Sequence, residues 1–249
     1  MIGEDPMIEN EFIYSRRNVV MGAGVALGLG QAAWAAETGQ SMAQKDVLTP
    51  MEALTRQHAV ARRVLMVYRL NAAGRLGVPP MPMQSVTIAA TILRSVLEDL
   101  HARFEEDNVF PLLEKADKWT DLVSTLRDQH VAARRLTDSI FQATRNATAG
   151  APTEALARNL MAYTHMIDEH TAYEETLLYP HIRTLASDAD YERLQMMMQD
   201  AQRRMLGPEG VAGLLNKVAD LERSAGIMGL AKFTPKIADE PAARETTAP

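Results

Sequence analysis

The sequence predicts an all-α protein, an up-down-up-down four-helix bundle with an extra C-terminal helix and a flexible tail. Three observations carry that expectation. Apolar residues recur at three- and four-residue spacing over long stretches, no segment alternates with the period of a strand, and the second helix pair repeats the first. With 47% hydrophobic and 23% charged residues in a chain of 249, there is apolar mass for one sizeable core. The net charge of −6 argues against nucleic acid as a partner, because no basic patch exists to displace counterions from a phosphate backbone. Absence of cysteine excludes disulfides and thiolate metal sites, so any metal must rest on nitrogen and oxygen.

The chain opens with a polar, acidic stretch, then Ser15-Arg16-Arg17-Asn18-Val19-Val20 leads into the glycine-rich apolar run from Met21 to Gly30, and Ala33-Trp34-Ala35 closes it. These residues resemble a twin-arginine signal peptide with a cut after Ala35. The resemblance implies delivery of a folded, metal-loaded protein to the periplasm by the twin-arginine export machinery, with no membrane span left after cleavage. Residues 36–48 read as a linker, 49–206 as the bundle, and 207–249 as a weakly helical stretch followed by a disordered tail.

Thr49-Pro50-Met51-Glu52 is a capping box with proline at the first helical position, and it predicts a helix to about Ala73, stopped by Gly74 and Gly77-Val78-Pro79-Pro80. On that helix Leu54, His58, Ala61, Leu65 and Tyr68 form one apolar stripe, which puts His58 inside. A second helix is expected from about Ser85 to Lys115, with Ile88, Ile92, Ser95, Leu97, His101, Phe104 and Glu105 sharing a side. Pro111 should kink or end it, since proline cannot donate to the carbonyl of Asp107. Thr120 or Asp121 starts a third helix to about Ala147, and a fourth begins near Pro152-Thr153-Glu154 and continues to Pro180. Ser187-Asp188 opens a shorter fifth helix through Met196-Met197-Met198.

Two signatures recur. His101-Ala-Arg-Phe-Glu105-Glu106-Asp-Asn-Val-Phe110-Pro111 returns as His170-Thr-Ala-Tyr-Glu174-Glu175-Thr-Leu-Leu-Tyr179-Pro180, and Gln57-His58-Ala-Val-Ala61-Arg62-Arg63 returns as Gln129-His130-Val-Ala-Ala133-Arg134-Arg135. An imidazole and a carboxylate four residues apart share a helix face and can chelate one ion. Four long helices aim His58, His101, Glu105, His130, His170 and Glu174 at one interior point, where two buried carboxylates would be costly without a cation. Such a nitrogen and oxygen set suits iron, manganese or zinc.

Phe104, Phe110, Tyr173 and Tyr179 read as packing around that point. Glu106, Glu169 and Glu175 read as solvated groups or hydrogen-bond acceptors for the imidazoles, His165 and His181 as ordinary histidines, Arg62-Arg63 and Arg134-Arg135 as surface cover, and Met196 to Met198 as core. A ferritin-like oxidase would need Glu-x-x-His twice, and only Glu98 and His101 supply it, since Ile167 precedes His170. A zinc hydrolase lacks its His-Glu-x-x-His. A structural adaptor without metal is the remaining alternative.

The order His, His-x-x-x-Glu, His, His-x-x-x-Glu, with an aromatic-proline pair after each chelating pair, resembles the hemerythrin-like domain from about Thr49 to Arg183. That resemblance implies a non-haem di-iron centre, two iron ions, with the six residues above as ligands. Oxygen carriers of the family have one more histidine four residues after the third-helix ligand, where this chain has Arg134. The sequence is thereby similar to the four-His, two-Glu centres of proteins linked to iron–sulfur cluster repair, although it lacks their cysteine-containing segment. What the resemblance implies is a periplasmic protein that binds or senses O2 or NO, or handles iron or peroxide, with a di-iron enzyme of nitrosative or oxidative stress defence as the alternative. Catalytic residues are not assigned.

Overall fold

The computed structural model describes residues 48–73, 81–145 and 153–234. The arginine pair and the cut after Ala35, the linker up to residue 47, the Gly74 to Pro80 stop, the Pro152 start and the tail past Thr234 lie outside the described residues.

Helix α1, Pro50–Ala72, begins at the expected capping box: Glu52 N–H donates to the Thr49 hydroxyl at 3.3 Å and Thr49 N–H donates to the Glu52 carboxylate at 2.8 Å. Helix α2 spans residues 83–115 and changes type along its length. An α-helix Met83–Leu93 passes into π-helix over Arg94–Ala102 and Glu105–Val109, then returns to α-helix over Phe110–Lys115. Helix α3 is Thr120–Arg145, and α4 covers residues 154–185 as α-helix Glu154–Tyr173, a π turn Glu174–Leu178 and α-helix Tyr179–Leu185. Two more helices follow, α5 Asp188–Leu206, capped by Ser187, and α6 Gly210–Ser224.

Neither proline ends its helix. The π turn hands the Phe110 N–H to the Glu105 carbonyl and the Tyr179 N–H to the Glu174 carbonyl, five residues back, so the ladder widens just before Pro111 and Pro180 and resumes beyond them. Both π turns open on the ligand glutamates. The π stretch over Arg94–Ala102 also rotates the faces of α2. Ile88, expected inside, is exposed, while Val86, Ala89, Leu93 and Val96 are buried. The weakly helical stretch expected after residue 207 is a full helix, and α6 buries Leu214, Val218 and Leu221 in the core.

Helices α1 to α4 pack as a ring, α1 on α2, α2 on α3, α3 on α4 and α4 on α1, while α5 and α6 lie against the α1–α2 side. The interior divides into two apolar clusters. One holds Val64, Leu65, Tyr68, Leu93, Leu160 and Tyr163 among others, and the second holds Leu54, Phe104, Phe110, Leu126, Leu178 and Ile182. On each bundle helix the conspicuous histidine falls between the two clusters: His58 between Leu54 and Val60, His101 between Leu97 and Phe104, His130 between Leu126 and Ala133, His170 between Ile167 and Leu178. Each fully buried Leu or Phe contributes roughly 1.5–3 kcal/mol, so the polar layer is clamped from both ends by apolar packing.

Candidate metal centre

All six residues singled out in the sequence meet in that layer, and all are buried. Glu105, His130, His170 and Glu174 form one cluster able to hold a cation, and His58, His101 and Glu174 form another, with Glu174 common to both. Imidazole Nε2 atoms line the interior in pairs: His58 faces His101 at 2.9 Å and His130 faces His170 at 3.2 Å. Carboxylate oxygens complete it, with Glu174 lying 3.0 Å from His170 Nε2 and 3.3 Å from His58 Nε2, and Glu105 lying 3.2 Å from His101 Nε2 and 3.5 Å from His130 Nε2.

The outward nitrogens fix how each ring is protonated. Nδ1 of His58 donates to Glu175 at 2.9 Å, that of His101 to Gln57 at 3.2 Å, that of His130 to Glu106 at 3.0 Å and that of His170 to Gln129 at 2.8 Å. The acceptors take every Nδ1 proton, so each neutral ring turns the lone pair of Nε2 inward. Arginines brace two of the acceptors: Arg62 donates to Glu175 at 2.8 Å and Arg134 to Glu106 at 2.9 Å. Arg62 and Arg134 therefore hold the centre in place, whereas the reading from sequence made them surface cover; Arg63 pairs with Glu222 and Arg135 is exposed.

Burial depresses the histidines: His58 lies well below the ordinary range, with His101 adding to the effect, and His170 is brought to about 4 against the opposing charge of Glu105. His130 is lowered by burial as well. Burial pushes the Glu105 carboxyl up, but His101, His130 and His170 around it hold it below the usual carboxylate range. Burial and the charge of Glu105 raise Glu174 well above that range. For Glu106 burial is outweighed by the hydrogen bonds from His130 and Arg134, which bring it down to about 2.

Acceptors crowd this arrangement. The inward Nε2 atoms meet Glu105 Oε2 and both oxygens of Glu174, none of these three buried oxygens has a hydrogen-bond partner in the chain, and the raised carboxyl of Glu174 holds a proton where no cation is bound. A buried acceptor without a donor costs on the order of 1–3 kcal/mol, more for a charged group, and several converging at one point are mutually repulsive. Cations relieve all of it at once, so the residues present fit a metal centre.

Tyr179 joins the centre, although the sequence reading made it packing. Its hydroxyl donates to Glu105 Oε1 at 2.7 Å and its ring stacks on His58. Phe110, its counterpart in the repeat, stacks on His130. Phe104 is packing, but Tyr173 is half exposed and Glu169 exposed. His165 and His181 are exposed and away from the centre, and His181 rests on Trp119. Of the three methionines expected in the core only Met198 is buried. A third buried acid, Glu98, accepts from Thr137 at 2.5 Å and Tyr163 at 3.1 Å and faces Arg94. Burial raises its carboxyl against those partners. The roles of Gln57, Gln129, Arg62 and Arg134 had a visible signal, since the repeat keeps Gln before His and Arg four residues after it in both copies.

Comparison with known proteins agrees with this geometry. The family described as "Hemerythrin HHE cation binding domain" matches residues 49–182 and again 121–226. The second match starts at α3, where the duplicated helix pair begins. An uncharacterized protein of Mycobacterium bovis and two of Mycobacterium tuberculosis are each 36% identical to this chain over 194 residues, covering 77% of it and 76% of theirs. No solved structure matches.

Proposed function

This chain belongs to the hemerythrin HHE cation-binding family, and we propose that it is a non-haem di-iron protein of the periplasm that binds or senses O2 or NO, or handles iron or peroxide. His58, His101, Glu105, His130, His170 and Glu174 are the iron ligands in this reading. The observation that carries it is the pair of clusters sharing Glu174, which provides two adjacent cation positions with a common carboxylate. All donors are imidazole nitrogen or carboxylate oxygen, a set that suits iron. A metal-free adaptor is disfavoured because it would bury two neighbouring carboxyl groups among four imidazoles with three of the carboxyl oxygens lacking a hydrogen-bond partner in the chain.

Bound iron would supply open coordination positions at which a diatomic molecule or a peroxide can attach. The chain supplies the surroundings. Glu175, Gln57, Glu106 and Gln129 orient the rings, Arg62 and Arg134 hold the two glutamates, and the apolar clusters above and below exclude bulk water. Tyr179, with its hydroxyl 2.7 Å from Glu105 and 3.4 Å from His101 Nε2, is a buried hydrogen-bond donor within the centre. That phenol favours a second reading, an enzyme that consumes peroxide or nitric oxide in stress defence. Arg134, bound to Glu106, supplies no further imidazole where oxygen carriers have one. Export by the twin-arginine machinery completes the proposal.

Iron analysis after anaerobic loading tests it. The expected result is two irons per chain, and a ratio far below that overturns the reading. Optical spectra with NO or O2 then separate a protein that releases its ligand unchanged from one that consumes it.

A further inference from the structure

The duplication sets two faces of the bundle in equivalent positions, α1–α2 and α3–α4, and the structure treats them differently. Helices α5 and α6 pack on the first. There Gln57, which orients His101, is 4% exposed and reaches Met198 Sδ of α5 at 3.7 Å, and Ala53, Leu100 and Phe104 of the same two helices are buried. On the second face no described helix stands in the place of α5. Gln129, which orients His170, is half-buried there, and the counterparts of Ala53, Leu100 and Phe104 are Thr125, Glu169 and Tyr173, all three exposed. Between these residues lies a cavity of about 240 Å³ that has His170 itself in its wall.

We propose that this α3–α4 cleft is the way in for the exogenous ligand, and that it delivers only small molecules of a few heavy atoms, such as O2, NO or hydrogen peroxide, to the His130–His170 half of the centre. The inference rests on the di-iron reading above and adds a route, a size limit and a side. Its volume is below the roughly 300–1,000 Å³ of pockets that take organic ligands, and equals that of about eight waters at ~30 Å³ each. The cleft reaches the outer edge of His170, whose Nδ1 donates to Gln129 at 2.8 Å, so a molecule in it stands one imidazole ring away from the inward Nε2. Tyr173, 50% exposed, stands where the buried Phe104 closes the other face. The two halves of the centre are then unequal: the His130–His170 half backs onto the cleft, and the His58–His101 half lies behind Gln57, Met198 and the Tyr179 hydroxyl.

Thr125→Trp tests the route, because the residue is exposed, contacts no proposed ligand and its replacement fills the cleft. The expected result is that NO binds the iron-loaded variant about tenfold more slowly or worse, with iron content and the final spectrum those of the parent. Xenon under pressure in crystals of the metal-free protein gives a second readout that needs no iron, and density is expected in the cleft beside His170 and not between Gln57 and Met198. An unchanged on-rate, or xenon seated on the α1–α2 face alone, overturns the route. A parent protein that takes up no iron overturns the functional reading instead, and the xenon result still decides whether the cleft is open.

Discussion

The Tyr179 hydroxyl donates to Oε1 of Glu105 at 2.7 Å, giving that carboxylate the one hydrogen bond its partner in the repeat, Glu174, lacks. Phe110 occupies the equivalent place beside His130 and has no hydroxyl to give. At this pair of positions the duplicated site has thus diverged by a single oxygen atom.

Tyr179→Phe removes that oxygen and leaves Glu105 as poorly satisfied as Glu174. The metal-free variant should lose about 1–3 kcal/mol, the cost of an unmade buried hydrogen bond to a charged acceptor. Urea unfolding of metal-free parent and variant measures the difference.

Arg134→Ala cuts the support of Glu106 and, through it, of His130. Loss of such an outer partner lowers metal affinity by about 10–100-fold. Competition against a chelator measures it, with Arg135→Ala, an exposed neighbour, as the unaffected control.

Glu174→Ala removes the carboxylate common to both clusters. Iron content should drop below two per chain, and the rise in melting temperature on adding iron should shrink, because both clusters have lost their common ligand. His101→Ala should act in the same direction. Parent-like iron and melting in both variants would contradict the ligand set.

Acidification should weaken the metal-free protein between pH 7 and 5. His170 titrates at about 4 in the fold and near 6.5 when unfolded, so its contribution is complete above 6.5 and is lost as pH falls toward 4. His58 and His130 shift in the same direction. Glu174 works oppositely: its raised carboxyl contributes stability below its ordinary value that is lost as pH rises through its folded value. Three imidazoles outweigh one carboxyl, and Glu174→Gln should steepen the slope. Urea midpoints across that range give the sign.

Arg16→Lys combined with Arg17→Lys should leave the protein in the cytoplasm. Cell fractionation reads the outcome, and recovery of the double variant from the periplasm would contradict the export proposal.

Much of this architecture is legible in the sequence because duplication writes each feature twice. The ligand residues stand out since His-x-x-x-Glu is a local spacing on one helix and its repetition marks it. Partners that act across helices are not local. Nothing adjacent to Gln129 announces His170, and nothing around Arg62 announces Glu175. A constant helical period puts Ile88 on the buried side, and the π-helix over Arg94–Ala102 changes that period by local hydrogen bonding that side-chain pattern does not encode. The missing N–H of Pro111 predicts a kink or a stop, and the π turn that precedes it lets the helix run on.

Glu98 has a consequence for how a doubled chain finds one partner arrangement. Two similar helix pairs can be threaded in competing registers that bury nearly the same apolar area, and hydrophobic packing alone separates such alternatives poorly. Glu98 on α2 is held by Thr137 of α3 and Tyr163 of α4, while the repeat sets Ile167, Leu65 and Arg94 at the three corresponding positions. A mispaired chain would take the Thr137 and Tyr163 hydroxyls away from this buried acid, a cost that apolar packing does not repay and that favours the native threading.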